Sequence, residues 1–162
     1  MKVISNSSPL INFAALGRFE LLRSLYGSLT IPDGVYEEVF IAGQGRPHAV
    51  FIAQAADWII REPVHAETAV RALQHLGRGE AEAIALATET PGSLVLLDDR
   101  QGRLAAHALG LNVIGTLGIL VIAKRKGLIN ILAPEIETLQ TRVGFRLSDS
   151  LKATVLKEIG EG

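Results

Sequence analysis

Five short runs rich in β-branched and aliphatic residues recur along the chain: "KVIS" (2–5), "SLTI" (28–31), "WIIR" (58–61), "LVLL" (94–97) and "NVIG" (112–115). The first, second, fourth and fifth are each followed by a segment of helical period. Parallel strands need a long crossover, usually a helix, and a parallel sheet needs both faces covered. This alternation therefore predicts an α/β fold with helices on both faces of a central, mainly parallel sheet. "WIIR" reads either as a strand or as a packed connection.

The punctuation places the helices. Pro32 and Asp33 open one, with proline pre-set for a first turn and aspartate favoured by the dipole. "GRGEAEAIALATE" (77–89) follows a glycine pair and stops before Pro91. "RQGRLAAHALG" (100–110) ends at Gly110, the place for a left-handed cap, and "TLGILVIAKRKG" (116–127) ends at Gly127 after a cationic last turn. "AGQGRP" (42–47) is a loop. From about residue 134 the chain carries two amphipathic patterns separated by "GFRLSD", with Ser148 placed as an N-cap. One domain over 1–162 with a helical tail is expected.

At 162 residues and 48% hydrophobic, with few aromatics, such a domain builds its core from Leu, Ile, Val and Ala. The absence of cysteine excludes disulfides, thiolate metal sites and a thiol nucleophile. The apolar stretch 115–123 is too short to span a bilayer, and "MKVISNSSPL" turns polar too soon for a signal peptide, so residence in the cytoplasm is expected. With a net charge of -1, any contact with nucleic acid must come from a local patch.

Chemistry concentrates at strand ends. "LVLL" runs directly into Asp98 and Asp99, two carboxylates that repel unless something positive lies between or beside them. Asn6 follows the first strand, Glu38 lies on the helix after the second, and Glu80 and Glu82 lie on the helix leading into the fourth. In an open α/β sheet, ligands collect beyond the carboxyl ends of the strands. At about 100° per residue, Glu38 lies nearer the buried stripe of Val35 and Val39 than Glu37 does. On the acidic helix Ala81, Ile84, Ala85 and Thr88 form the inward stripe, with Glu80 and Glu82 flanking it; Glu80, in the first turn, is favoured. Structural readings stand beside these. Helix glutamates are commonly solvated, and Asp98–Asp99 also reads as one N-cap plus one exposed acid.

"SNSSPLINFAALGRFELL", "IPDGVYEEV", "GRGEAEAIALA", "LLDDRQGR" and "VIGTLGILVIAKRKGLI" together resemble the PIN-domain proteins, in the branch related to VapC-type toxins that is often left as a family of unknown function. The resemblance runs from Val3 to about Gly144 and implies a Rossmann-like three-layer α/β/α fold and a ribonuclease dependent on Mg²⁺ or Mn²⁺. It maps the acidic positions onto Asn6, Glu38, Glu80 (or Glu82) and Asp99, with Asp98 beside it. Asn6 stands where many relatives carry aspartate, so an amide oxygen replaces a charge. Mg²⁺ and Mn²⁺ suit such a cluster, since they prefer oxygen ligands and keep several waters. The metal is then the positive partner for "LLDDR", and Asp98 restores the charge that Asn6 omits. The resemblance further implies RNA as substrate, a small antitoxin protein as partner and a homodimer; apolar helices such as "TLGILVIAK" point to self-association as well.

Secondary positions have two readings each. Ser7 and Ser8 either bind a metal-bound water or phosphate or cap a helix beginning near Pro9; Thr116 either bonds an active-site carboxylate or caps its helix. Arg100 and Arg103 are placed to contact RNA phosphates, whereas Lys124–Lys126 suits a helix C-terminus. The four histidines, His48, His65, His75 and His107, lack metal-ligand spacing, and Trp58 is a packing residue. Set against a ribonuclease are a weak PIN module that only binds RNA or protein, kept open by Asn6, and a phospho-acceptor regulator. The regulator is disfavoured because its acid pair belongs after the first strand.

Overall fold

The computed structural model describes residues 1–55 and 57–162. Five strands, β1 (Val3–Ser5), β2 (Leu29–Pro32), β3 (Ile59–Glu62), β4 (Leu94–Leu96) and β5 (Asn112–Ile114), form one parallel sheet in the order β3-β2-β1-β4-β5. "WIIR" is thus an edge strand: β3 pairs with β2 from Leu29↔Ile59 to Pro32↔Glu62. The helices are α1 (Ser7–Ala15), α2 (Glu20–Tyr26), α3 (Asp33–Tyr36), α4 (Pro47–Ala53), α5 (Glu67–Ala72), α6 (Arg78–Thr88), α7 (Arg100–Ala108), α8 (Thr116–Arg125), α9 (Ala133–Thr138) and α10 (Asp149–Glu158). No helix is long and apolar enough to cross a membrane among the described residues.

Strand alternation divides the core between the two faces. Val3 and Leu96 join Leu10, Phe13, Leu22, Ile119 and Leu120 on one side. Ile4, Val95 and Leu97 join Ala81, Ile84, Leu86 and Ala106 on the other. The result is the three-layer α/β/α arrangement expected from the strand–helix alternation. The tail belongs to the first cluster through Ile136, Leu139 and Val155. Trp58 packs against Phe19 with ring centroids 5.2 Å apart.

Local expectations meet mixed outcomes. Gly110 and Gly127 adopt φ of +73° and +77° beyond α7 and α8, as expected of left-handed caps. Ser148 caps α10 by accepting from Leu151 N at 3.2 Å. The stripe on α6 is too narrow: Ala81, Ile84 and Ala85 are buried as expected, but so is every other residue from Ala81 to Ala87, whereas Thr88 is exposed. The reason is enclosure, because α6 packs on α3, α5 and α7 as well as on β1, β2 and β4. The helix after β2 is also not uniform. Beyond α3 it widens into a π-helical turn over Glu37–Ile41, in which Ala42 N bonds to Glu37 O at 2.8 Å. Such turns shift the side-chain phase, and they concentrate at functional sites.

Candidate active site

β1 and β4 are neighbours whose helices leave in different directions, which makes their carboxyl ends the switch point of the sheet. Asn6 and Asp98–Asp99 leave the sheet there, and Asn6 N donates to Leu96 O at 3.0 Å. Asn6 holds the N-cap position of α1, yet its side chain makes no capping bond. It is only 3% exposed, and its Oδ1 is buried without a partner. A buried, unpaired amide oxygen costs about 1–3 kcal/mol unless water or an ion satisfies it.

α1 begins at Ser7, so neither serine is a cap. Ser7 instead donates its hydroxyl to Glu38 Oε2 at 2.6 Å. The other oxygen of Glu38 accepts from Gly79 N at 3.2 Å, in the first turn of α6. Its charge therefore faces the positive end of that helix. A glycine at 79 is required for this approach: a Cβ there would lie 2.5 Å from Glu38 Oε1.

Glu80 follows on the same turn. Burial raises its pKa, the charges of Asp99 and Glu38 raise it further, and so does a hydrogen bond with Asp99; a bond from the Gly77 backbone opposes them. Glu80 thus lies close enough to both Glu38 and Asp99 for their charges to act on it. Among the described residues no three acidic or histidine side chains close into a preformed metal cage. An open set of oxygen donors is nonetheless what a hard divalent ion accepts, since Mg²⁺ fills its remaining positions with water.

A family model described as a PIN domain, DUF3368, matches residues 2–161. The chain belongs to this PIN-domain family. No curated protein and no solved structure matches it. PIN folds are of nuclease type, and family members generally bind nucleic acid and use divalent metals.

Within this PIN domain the two neighbouring aspartates diverge. Asp99 caps α7, accepting from Gly102 N at 2.8 Å through Oδ2, and its exposed carboxylate keeps Oδ1 free of that bond. Asp98 turns the other way. Its Oδ1 accepts from Thr116 N at 2.7 Å, and its Oδ2 from Thr116 Oγ1 at 2.6 Å and Asn12 Nδ2 at 3.1 Å. Asp98 therefore ties α8 to α1, and Thr116 is bonded to a carboxylate rather than serving as the cap, which is Gly115.

The glutamate pair also separates. Glu82 is buried, accepting from Gly34 N at 3.0 Å and Arg78 Nε at 2.7 Å, and so holds α3 against α6. Glu37 pairs with Arg78 on the exposed side. Arg100 and Arg103 are exposed in the first turn of α7, and Ser8 is half-buried next to Ser7. Lys124 pairs with Glu161 at 3.2 Å at the end of α8.

Sequence reasoning did not single out Asn12, Gly34 or Gly79. Asn12 carried a signal, being a lone amide inside the apolar run "LINFAAL". The glycines gave none, because their role lies in a close approach between distant segments.

Proposed function

We propose that this PIN domain is a divalent-metal-dependent endoribonuclease acting on single-stranded RNA in the cytoplasm. The single observation that supports the reading is the buried, unpaired oxygen of Asn6 at the switch point of the sheet, with Glu80 near enough to Glu38 and Asp99 for their charges to raise its pKa. Glu38, Glu80 and Asp99 are the residues to hold Mg²⁺ or Mn²⁺, with Asn6 Oδ1 supplying a neutral donor. A bound divalent ion supplies a water of lowered pKa and offsets charge on the scissile phosphate.

The protein side of this chemistry is positioning. Ser7 and Gly79 fix both oxygens of Glu38, so that carboxylate arrives pre-oriented. Glu80, whose pKa is raised by burial and by its acidic neighbours, is the carboxylate whose ionised form a divalent ion would stabilise most. Asp98, locked by Thr116 and Asn12, supports the end of β4 rather than the chemistry. Arg100 and Arg103 supply exposed positive charge for RNA phosphates. The reading extends to a toxin controlled by a small antitoxin protein and to a homodimer, for which the exposed Leu104 on α7 and Leu109 at its C-cap offer apolar surface.

The test is cleavage of single-stranded RNA with Mn²⁺, with Mg²⁺ and with chelator. Metal-dependent cleavage lost in Glu80→Gln is expected. RNA binding without cleavage in any metal would leave a PIN module that only binds, with Asn6 as the missing acid.

A further inference from the structure

A second feature adjoins the acids on the other side of β4. A cleft of about 340 Å³ opens between the start of α7, the end of β5 and the tail segment 145–147. Asp98 and Gly115 line it, as do Ile114, Leu117, Phe145 and Leu147, four partly buried residues that also pack against the core. Arg103 and Arg146 line it from distant parts of the sequence, one on α7 and one in the tail, and both are exposed. Neither forms an ion pair among the described residues, although seven other pairs form there. The only carboxylate in the lining, Asp98, is occupied by the hydrogen bonds from Thr116 and Asn12.

Two guanidiniums without ion-pair partners in a cleft lined by apolar residues and one half-buried aromatic ring, Phe145, form a definite chemical pattern. Arginine matches phosphate oxygens in a forked geometry, and a base stacks on an aromatic face whatever its sequence. In a chain of net charge -1, this local concentration of unpaired arginine is the kind of patch a polyanion needs. Gly115 lets Asp98 and Arg103 approach closely: a Cβ there would lie 2.9 Å from Asp98 Oδ1 and 3.5 Å from Arg103 Nη1. Asp98 immediately precedes Asp99, so the cleft begins one residue from the acid cluster.

We propose that this cleft is a nucleotide subsite for single-stranded RNA. Arg103 and Arg146 hold the phosphates of a nucleotide flanking the one at the acids, and Phe145 with Leu147 receives its base. The ligand class rests on the ribonuclease reading; the pairing of the two arginines across the cleft does not. The tail segment "GFRLSD" thereby acquires a role in substrate binding beyond packing.

The experiment is fluorescence anisotropy of the full chain with a short labelled oligouridylate in chelator, so that binding is read without cleavage. An Arg103→Ala/Arg146→Ala double variant should bind several-fold more weakly. The slope of log Kd against log salt should become shallower by about 1.4, about 0.7 for each phosphate that the variant no longer neutralises. Arg103→Lys/Arg146→Lys should recover the salt slope, and the melting temperature should stay that of wild type in both. Phe145→Leu should weaken oligouridylate by about fivefold or more while leaving a strand with abasic positions unaffected.

An unchanged affinity and slope in the double alanine variant would overturn the proposal, as would absence of RNA binding by wild type. So would loss of a small protein partner with RNA affinity intact. Wild type that binds through Arg103 and Arg146 but never cleaves with Mn²⁺ or Mg²⁺ would refute the nuclease and leave the cleft standing. Cleavage by wild type with unaltered binding by the double variant would do the reverse.

Discussion

Ser7 donates its hydroxyl to Glu38 at 2.6 Å, joining the first turn after β1 to the π turn after β2 across 31 positions of sequence. The bond orients the carboxylate rather than merely packing it. Ser7→Ala should cost about 1 kcal/mol in urea unfolding, at the lower end for a bond to a partly exposed charge. Mn²⁺ affinity should fall as well, because Glu38 then has only Gly79 N to hold it.

Gly79→Ala separates fold from site. Alanine improves a helix interior by up to about 1 kcal/mol over glycine. Its Cβ, however, would stand 2.5 Å from Glu38 Oε1, and the flexible carboxylate must swing away. The expected variant melts no lower than wild type yet binds Mn²⁺ more weakly. Calorimetric unfolding and metal titration on one preparation check both halves.

Glu80 sets a pH dependence of definite sign. Its folded pKa lies above the ordinary value of 4.5, so the native state holds its proton where the unfolded chain has lost it. Its contribution is therefore fully present below about pH 4.5 and is lost as pH rises through the raised native value. In chelator, Glu80→Gln should be more stable than wild type at neutral pH, with the gap closing as the solution is acidified toward that range. Parallel urea titrations at several pH values measure it.

Much of this was legible in the chain itself. The five strand runs, the left-handed ends at Gly110 and Gly127 and the cap at Ser148 follow from local chemistry, and local chemistry is what a sequence displays. The rule for open α/β sheets pointed to the carboxyl ends of the strands, where Asn6 and Asp99 follow β1 and β4 and where Glu38 and Asp99 act on Glu80. Choosing between Glu80 and Glu82 was beyond periodicity, because α6 is enclosed on several sides and a buried glutamate there finds Gly34 N and Arg78. The π turn was likewise invisible, since the same residues read as an ordinary helix. The opposite directions of Asp98 and Asp99 are set by α8 and α7, the partners that each carboxylate meets.

Asn6→Asp tests the odd member of the set. The replacement is nearly isosteric, but it puts a charge at a buried position whose oxygen lacks a partner, beside other acids. Without metal the variant should melt below wild type. With saturating Mn²⁺ the added ligand charge should recover that loss, giving a larger metal-induced rise in melting temperature than wild type shows. An identical rise in both proteins would mean that residue 6 does not face the metal.

The direct measurement is a calorimetric Mn²⁺ titration of wild type, Glu80→Gln and Glu82→Gln, three proteins that differ by one neutralised carboxylate on one helix. Wild type should bind, Glu80→Gln should lose most of the affinity while staying folded, and Glu82→Gln should bind as wild type despite a lower unfolding free energy. Equal affinity in wild type and Glu80→Gln, or loss confined to Glu82→Gln, would contradict the assignment of the metal to Glu38, Glu80 and Asp99.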